Sequence, residues 1–164
     1  MDLKLKLPKA QPGDVVYLCV LNYLKWKPVC GELVSKDTTV VFEKMGLGVV
    51  YLPQKFKNGM YYPVGAPFSL DKNGNKKFYS PSEKKCSFNM MQEDGYLIYR
   101  PNKKYVLKYW DNKWISLKRK VYSNTNILLF NDVPKNALYL MVPEYSWGKE
   151  RPFTIDSEGN RIWW

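Results

Sequence analysis

The feature that most limits what this chain can fold into is that it matches itself. An offset of 88 places Trp26 on Trp114, Val40-Val41-Phe42 on Leu128-Leu129-Phe130, and Val49-Val50-Tyr51-Leu52 on Ala137-Leu138-Tyr139-Leu140. The same offset pairs Tyr17 with Tyr105. Further on, Pro67-Phe68-Ser69-Leu70-Asp71 matches Pro152-Phe153-Thr154-Ile155-Asp156 at an offset of 85. Gly74-Asn75 then matches Gly159-Asn160, and Phe78-Tyr79 matches Trp163-Trp164. Ordered blocks with one small gap mean two copies of one structural unit. The three residues missing from the second copy fall between 141 and 151, where a surface loop is expected. The units read as 1–85 and 90–164, with 80–95 as a polar connection. Within it Cys86, Phe88, Met90 and Met91 are apolar. They pack across the joint or begin the first strand of the second unit, and the sequence leaves both open.

Neither unit sustains helical periodicity. Short apolar runs end at Gly, Pro, Asn or Asp, which reads as strands. In copy one they fall near 3–7, 15–21, 25–30, 38–43, 47–52, 60–63, 67–70 and 76–79. In copy two they fall near 96–100, 104–110, 113–118, 126–130, 136–142, 152–155 and 160–164. Asp71-Lys72-Asn73-Gly74-Asn75 and Asp156-Ser157-Glu158-Gly159-Asn160 each offer an Asp to open a turn and a Gly for positive φ. Trp110-Asp111-Asn112-Lys113-Trp114 reads as a tight hairpin. Many short strands at this spacing predict an all-β fold of two tandem, internally duplicated antiparallel β-sandwich modules. Strand parity puts Tyr17, Cys19 and Leu21 on one face, with Tyr105, Leu107 and Tyr109 on the equivalent face. Trp26 and Trp114 are expected to point inward on the next strand, and Phe42, Phe130, Tyr51 and Tyr139 to be buried.

The inventory argues against enzymes. The chain has no histidine, which removes Ser-His-Asp and Cys-His catalysis and every His-ligated metal site. Cys19 reads as a buried, inert thiol, and Cys30 and Cys86 lack a histidine to activate them. Whether Cys19 and Cys30 are joined is open. No Cys-x-x-Cys spacing supports a metal and no Gly-rich loop leads into a helix. Asp71 and Asp156 recur at turns in separate units, so they do not form a converging catalytic pair. No catalytic residue, cofactor or metal is assigned.

The 164 residues carry 26 basic against 15 acidic side chains, a net +11. Residues 1–82 hold +6 and the rest +5, so the charge is spread over the body. Lysines outnumber arginines 22 to 4, a mix that suits base-edge and phosphate recognition poorly. No run approaches the ~20 apolar residues of a membrane span.

Two binding candidates remain. The segment after residue 52 carries Tyr61 and Tyr62, and its counterpart carries Tyr145 and Trp147. Aromatics that vary where the scaffold is constant point to loop function; flat rings suit a glycan or a surface protein. These four rings are expected to be more exposed than Trp26 and Trp114, with at least one pair forming a contiguous patch. The second candidate is a basic stretch, Lys103, Lys104, Lys108, Lys118, Arg119 and Lys120, interleaved with Tyr105, Tyr109, Trp110 and Trp114. It carries the rival expectation, a single-stranded nucleic-acid binder. Parity places Lys104, Lys108 and Trp110 together, and a solvated outer sheet face is the simpler account.

The runs Tyr105-Val106-Leu107-Lys108-Tyr109-Trp110-Asp111-Asn112-Lys113-Trp114, Asn131-Asp132-Val133-Pro134-Lys135-Asn136-Ala137-Leu138-Tyr139-Leu140 and Glu150-Arg151-Pro152-Phe153-Thr154-Ile155, ending in Trp163-Trp164, carry a family resemblance. They resemble the C-terminal β-sandwich modules of secreted, transglutaminase-like proteins of Bacteroidetes-type bacteria. The resemblance covers most of copy two and, more faintly, copy one. It implies a non-catalytic accessory segment of an exported protein, in the periplasm or at the cell surface, with a natural C-terminus at Trp164. The catalytic Cys-His-Asp domain of such proteins lies upstream, and nothing here matches it. Met1-Asp2-Leu3-Lys4-Leu5-Lys6-Leu7-Pro8 is not a signal peptide. A chain complete as given would therefore be cytoplasmic, and a fragment of an exported protein would have lost its signal with the upstream part.

Overall fold

A computed structural model describes residues 2–22, 24–91, 93–94, 97–98, 104–117, 121–122, 127–143 and 150–164. Among them every regular element is a strand, and no helix is long and apolar enough to cross a membrane. The chain divides into two compact units, Met1–Phe78 and Tyr79–Trp164.

The first unit runs β1 (Leu3–Lys6), β2 (Val15–Asn22), β3 (Lys25–Leu33), β4 (Thr39–Phe42), β5 (Val49–Lys57), β6 (Met60–Pro63), β7 (Phe68–Leu70) and β8 (Lys76–Phe78). β1 and β4 form an antiparallel ribbon, and the others form a sheet of order β3-β2-β5-β7-β8 with β6 also on β5. β1 alternates buried leucines with exposed lysines, the pattern of a strand with one face on a core. Leu3, Leu5, Val40 and Phe42 of the ribbon pack on Val16, Leu18, Tyr51, Phe68 and Leu70 of the sheet. The layers are thus a ribbon over a sheet, a small antiparallel sandwich.

The second unit runs β9 (Lys85–Met91), β10 (Glu93–Asp94), β11 (Leu97–Ile98), β12 (Lys104–Trp110), β13 (Trp114–Ser116), β14 (Val121–Tyr122), β15 (Ile127–Pro134), β16 (Tyr139–Pro143), β17 (Phe153–Ile155) and β18 (Arg161–Trp163). Its sheet order is β13-β12-β16-β17-β18, with β14 also on β12, and β9 pairs β15 in a ribbon. Tyr105, Leu107, Tyr139, Met141 and Phe153 of the sheet meet Phe130 and Val133 in one core.

The five-strand orders of the two sheets match, although the extra strand joins β5 in the first and β12 in the second, and several local details recur. Tyr51 Oη donates to the Gly46 carbonyl at 2.8 Å, and Tyr139 Oη to the Pro134 carbonyl. Asp71 Oδ1 accepts the backbone N–H groups of Asn73 and Asn75, as Asp156 Oδ1 accepts those of Glu158 and Asn160. Left-handed backbone recurs at Leu24 and Asn112, Lys44 and Asp132, and Gly74 and Gly159. Phe42, Phe130, Tyr51 and Tyr139 are buried, as the offset implies.

Four readings of the sequence change. The break falls after Phe78, ahead of the 85–90 gap, because the apolar run at Cys86–Met91 is β9, the partner of β15. Tyr17 is not the counterpart of Tyr105. Val16 pairs Lys55 as Tyr105 pairs Pro143, so Val16 is. The slip has a local cause: Leu21 pairs Trp26 across four residues, whereas Trp110 pairs Trp114 across three. One residue of register exchanges the two faces of a strand, so Val16 and Leu18 enter the core and Tyr17 points away. Third, Trp26 and Trp114 are only half-buried and do not point into the core. Val20 and Tyr109 pack against the cores, so the next residues, Leu21 and Trp110, and their partners Trp26 and Trp114 lie on the reverse face. Fourth, part of that reverse face is buried rather than solvated. Cys19, Val50 and Leu52 are buried on it in the first unit, as are Trp110, Leu138 and Leu140 in the second.

Candidate binding surface

β5 and β6 are joined by Asn58-Gly59, both with positive φ, 53° and 79°. This is the two-residue turn whose twist matches a hairpin, and Asn-Gly tolerates it best. It sets Phe56 opposite Tyr61 and Lys55 opposite Tyr62. Adjacent strand residues point to opposite faces, so Tyr61 and Tyr62 do not share a surface. Tyr62 shares its face with Lys55, and its hydroxyl reaches Met60 Sδ at 3.7 Å.

Tyr61 joins a different group. Its ring centroid lies 4.8 Å from Phe56 and 5.7 Å from Tyr17, and Tyr17 is 6.4 Å from Phe56. Both contacts of Tyr17 are edge-to-face, the favoured geometry for aromatic pairs. Tyr17 is opposite Gly31 on β3, and its ring lies across that strand. A Cβ at Gly31 would stand 2.5 Å from Tyr17 Cε1, so only glycine admits the ring there. Leu33 extends the same face beside Val15. The result is a strip across four strands, with Leu33 66%, Phe56 43% and Tyr61 38% exposed. Tyr62 is 42% exposed, and both tyrosines are more open than Trp26 and Trp114.

The other sequence candidates divide. Tyr145 and Trp147 lie outside the described residues, as do Lys103, Lys118, Arg119 and Lys120. Lys104 and Lys108 are half-buried. Parity groups them with Trp110, which is 8% exposed.

The three thiols are free. Cys30 packs against the first core and donates to Met45 Sδ at 3.6 Å, while Cys19 lies on the reverse face, so the two do not pair. Burial pushes all three thiol pKa values up, the dominant effect at Cys19, Cys30 and Cys86 alike. That keeps them protonated and weakly nucleophilic. Among the described residues no cluster of three or more Cys, Asp or Glu side chains is placed to hold a metal ion.

The sequence reading put Tyr17 on the core face and did not single out Phe56, Gly31 or Leu33. Asn58-Gly59 held the signal for one of them, since a two-residue hairpin turn pairs Phe56 with Tyr61 by counting alone. Comparison with protein-family models and with curated proteins gives no match to the chain.

Proposed function

We propose that this chain is a non-catalytic binding module that takes a glycan or protein ligand on the strip around Tyr61. The observation that carries the reading is the cluster of half-buried Tyr17 with exposed Phe56 and Tyr61, three mutually packed rings on a sheet. Aromatic rings on a preformed scaffold contribute contact area with little loss of side-chain entropy. The protonated state of the thiols supports a non-catalytic role. The resemblance of the second unit to accessory modules of exported bacterial proteins supports the same role, in the periplasm or at the cell surface.

Tyr61 and Tyr62 supply a matched control, because they neighbour one another in sequence and face opposite ways. Tyr61→Asp and Tyr62→Asp should be compared for binding to a glycan array and to a random-peptide library. A ligand lost with the first substitution and kept with the second is the expected result. If every ligand found responds equally to both, or to neither, the strip is not the site.

A further inference from the structure

The tripeptide Lys-Asn-Gly occurs twice in the chain, at Lys57-Asn58-Gly59 and at Lys72-Asn73-Gly74. An asparagine before glycine is prone to lose its side-chain amide, because glycine has no side chain to hinder attack by its own backbone nitrogen. Identical neighbours give both sites the same intrinsic chemistry, so the fold decides between them. At the second site the glycine nitrogen is held: Gly74 N–H donates to the Asp71 carbonyl at 3.0 Å. Asp71 Oδ1 accepts the N–H groups of Asn73 and Asn75 at 2.9 and 2.8 Å, and Asp71 N–H donates to the Asn75 carbonyl at 3.0 Å. Turning Gly74 N toward the Asn73 side chain breaks into that bonded loop. At the first site no hydrogen bond among the described residues takes the Gly59 N–H. Asn58 and Gly59 are exposed, and a Cβ at Gly59 would meet nothing within 4 Å. The Gly59 nitrogen can approach Asn58 Cγ without giving up a hydrogen bond of its own.

We propose that Asn58 is a site of spontaneous deamidation and that its isoaspartate product releases β6. The Gly59 nitrogen gives its proton to hydroxide and attacks Asn58 Cγ. The N–Cγ bond forms, the Cγ–Nδ2 bond breaks, and Nδ2 leaves as ammonia with a proton taken from water. Water then opens the resulting cyclic imide. Cleavage between the ring nitrogen and Cγ yields aspartate. Cleavage between the ring nitrogen and the backbone carbonyl carbon of residue 58 yields isoaspartate, in which the chain runs through Cβ and Cγ. The net exchange is water for ammonia, and nothing is oxidised or reduced. Aspartate keeps the turn, since Asp-Gly suits the same two-residue geometry. Isoaspartate adds a carbon to the backbone of a loop whose length fixes the register. That register sets β6 on β5 with Tyr61 opposite Phe56, so the modification acts on the aromatic strip.

The test is to age the full chain in mildly alkaline buffer, both folded and in urea, and to digest it with trypsin. Cleavage after Lys57, Lys72 and Lys76 puts Asn58 and Asn73 on separate peptides. Mass then reports amide loss, and chromatography separates aspartate from isoaspartate. In the folded chain Asn58 should convert several-fold faster than Asn73, and in urea the two rates should converge. Hydrogen exchange, read on the chromatographically resolved peptides of the aged chain, should show β6 protection lost with isoaspartate. The variant Asn58→Asp should keep that protection. Equal rates in the folded chain, a faster Asn73, or a difference that persists in urea overturns the site. Full β6 protection in the isoaspartate form overturns its effect on the strand. So does an equal loss in Asn58→Asp, which would make the new charge the cause and not the added carbon.

Discussion

Gly31 is constrained by its neighbour and not by its own backbone. The Tyr17 ring occupies the space a Cβ would take, so the glycine holds one corner of the aromatic strip in place. Gly31→Ala should cost about 1–3 kcal/mol, the range for inserting a carbon into a packed site, and should displace Tyr17 from Phe56 and Tyr61. Urea unfolding reads the first effect and tyrosine fluorescence the second; an unchanged midpoint would show that the ring yields freely. The buried tyrosine hydroxyls have a different consequence. Burial raises the phenol pKa of both Tyr51 and Tyr139 above the ordinary value of 10.0. A group raised on folding contributes stability that is fully present below its unfolded pKa and is lost as pH climbs through the folded one. Stability should therefore decline above about pH 10, and Tyr139→Phe should show a shallower decline. Chemical denaturation at several alkaline pH values tests this, and parallel curves for the two proteins would refute it. At neutral pH the same variant loses the hydrogen bond to Pro134, at a cost of about 1 kcal/mol.

At the scale of elements, turns carried most of what was legible in the sequence. The Asp-to-Asn loops after β7 and β17 were readable because an Asp side chain and a glycine are what that backbone requires, and Gly74 and Gly159 have φ of 82° and 84°. The Asn58-Gly59 turn belongs to the same class. Gly59→Ala puts a side chain at φ 79° and should destabilise the hairpin by about 1 kcal/mol. Hydrogen exchange at β6 is the sensitive readout, and unchanged protection there would count against the assigned turn. Register was less legible. An offset of 88 aligns Trp26 with Trp114 correctly, yet the turn before each differs by one residue, which no count of matching letters revealed. That single residue moved Tyr17 from the expected core to the aromatic strip and put Trp26 and Trp114 on the reverse face. The apolar run at Cys86–Met91 was visible as well, but its role as β9 depends on a partner nearly forty residues away, in β15. Distant pairing of that kind leaves no local mark. The strip itself was half legible. Tyr61 stood out as an unmatched aromatic, whereas Leu33 and Gly31 become meaningful only once β3 lies beside β2.

On the scale of the whole molecule, the net +11 acts independently of any particular site. A polyanion gains counterion-release free energy from any lysine-bearing surface, and that term falls steeply with salt. The aromatic strip is uncharged and takes no part in it. Lys104 and Lys108, the described members of the candidate basic patch, are half-buried beside Trp110, so they are poorly placed to follow a nucleic-acid backbone. Single-stranded DNA should therefore bind weakly and without sequence preference at ~50 mM salt, and the binding should all but vanish by ~200 mM. Lys104→Gln with Lys108→Gln should change it no more than substituting two exposed lysines elsewhere, such as Lys36 and Lys72. Tyr61→Asp should lower it only slightly, through one unit of net charge. Fluorescence anisotropy with a labelled oligonucleotide across a salt series separates the two readings. Diffuse attraction gives a curve that depends on total charge and not on position. A dedicated nucleic-acid site gives affinity that survives physiological salt and collapses when Lys104 and Lys108 are replaced. That second outcome would move the proposed binding site from the strip on the first unit to the sheet of the second.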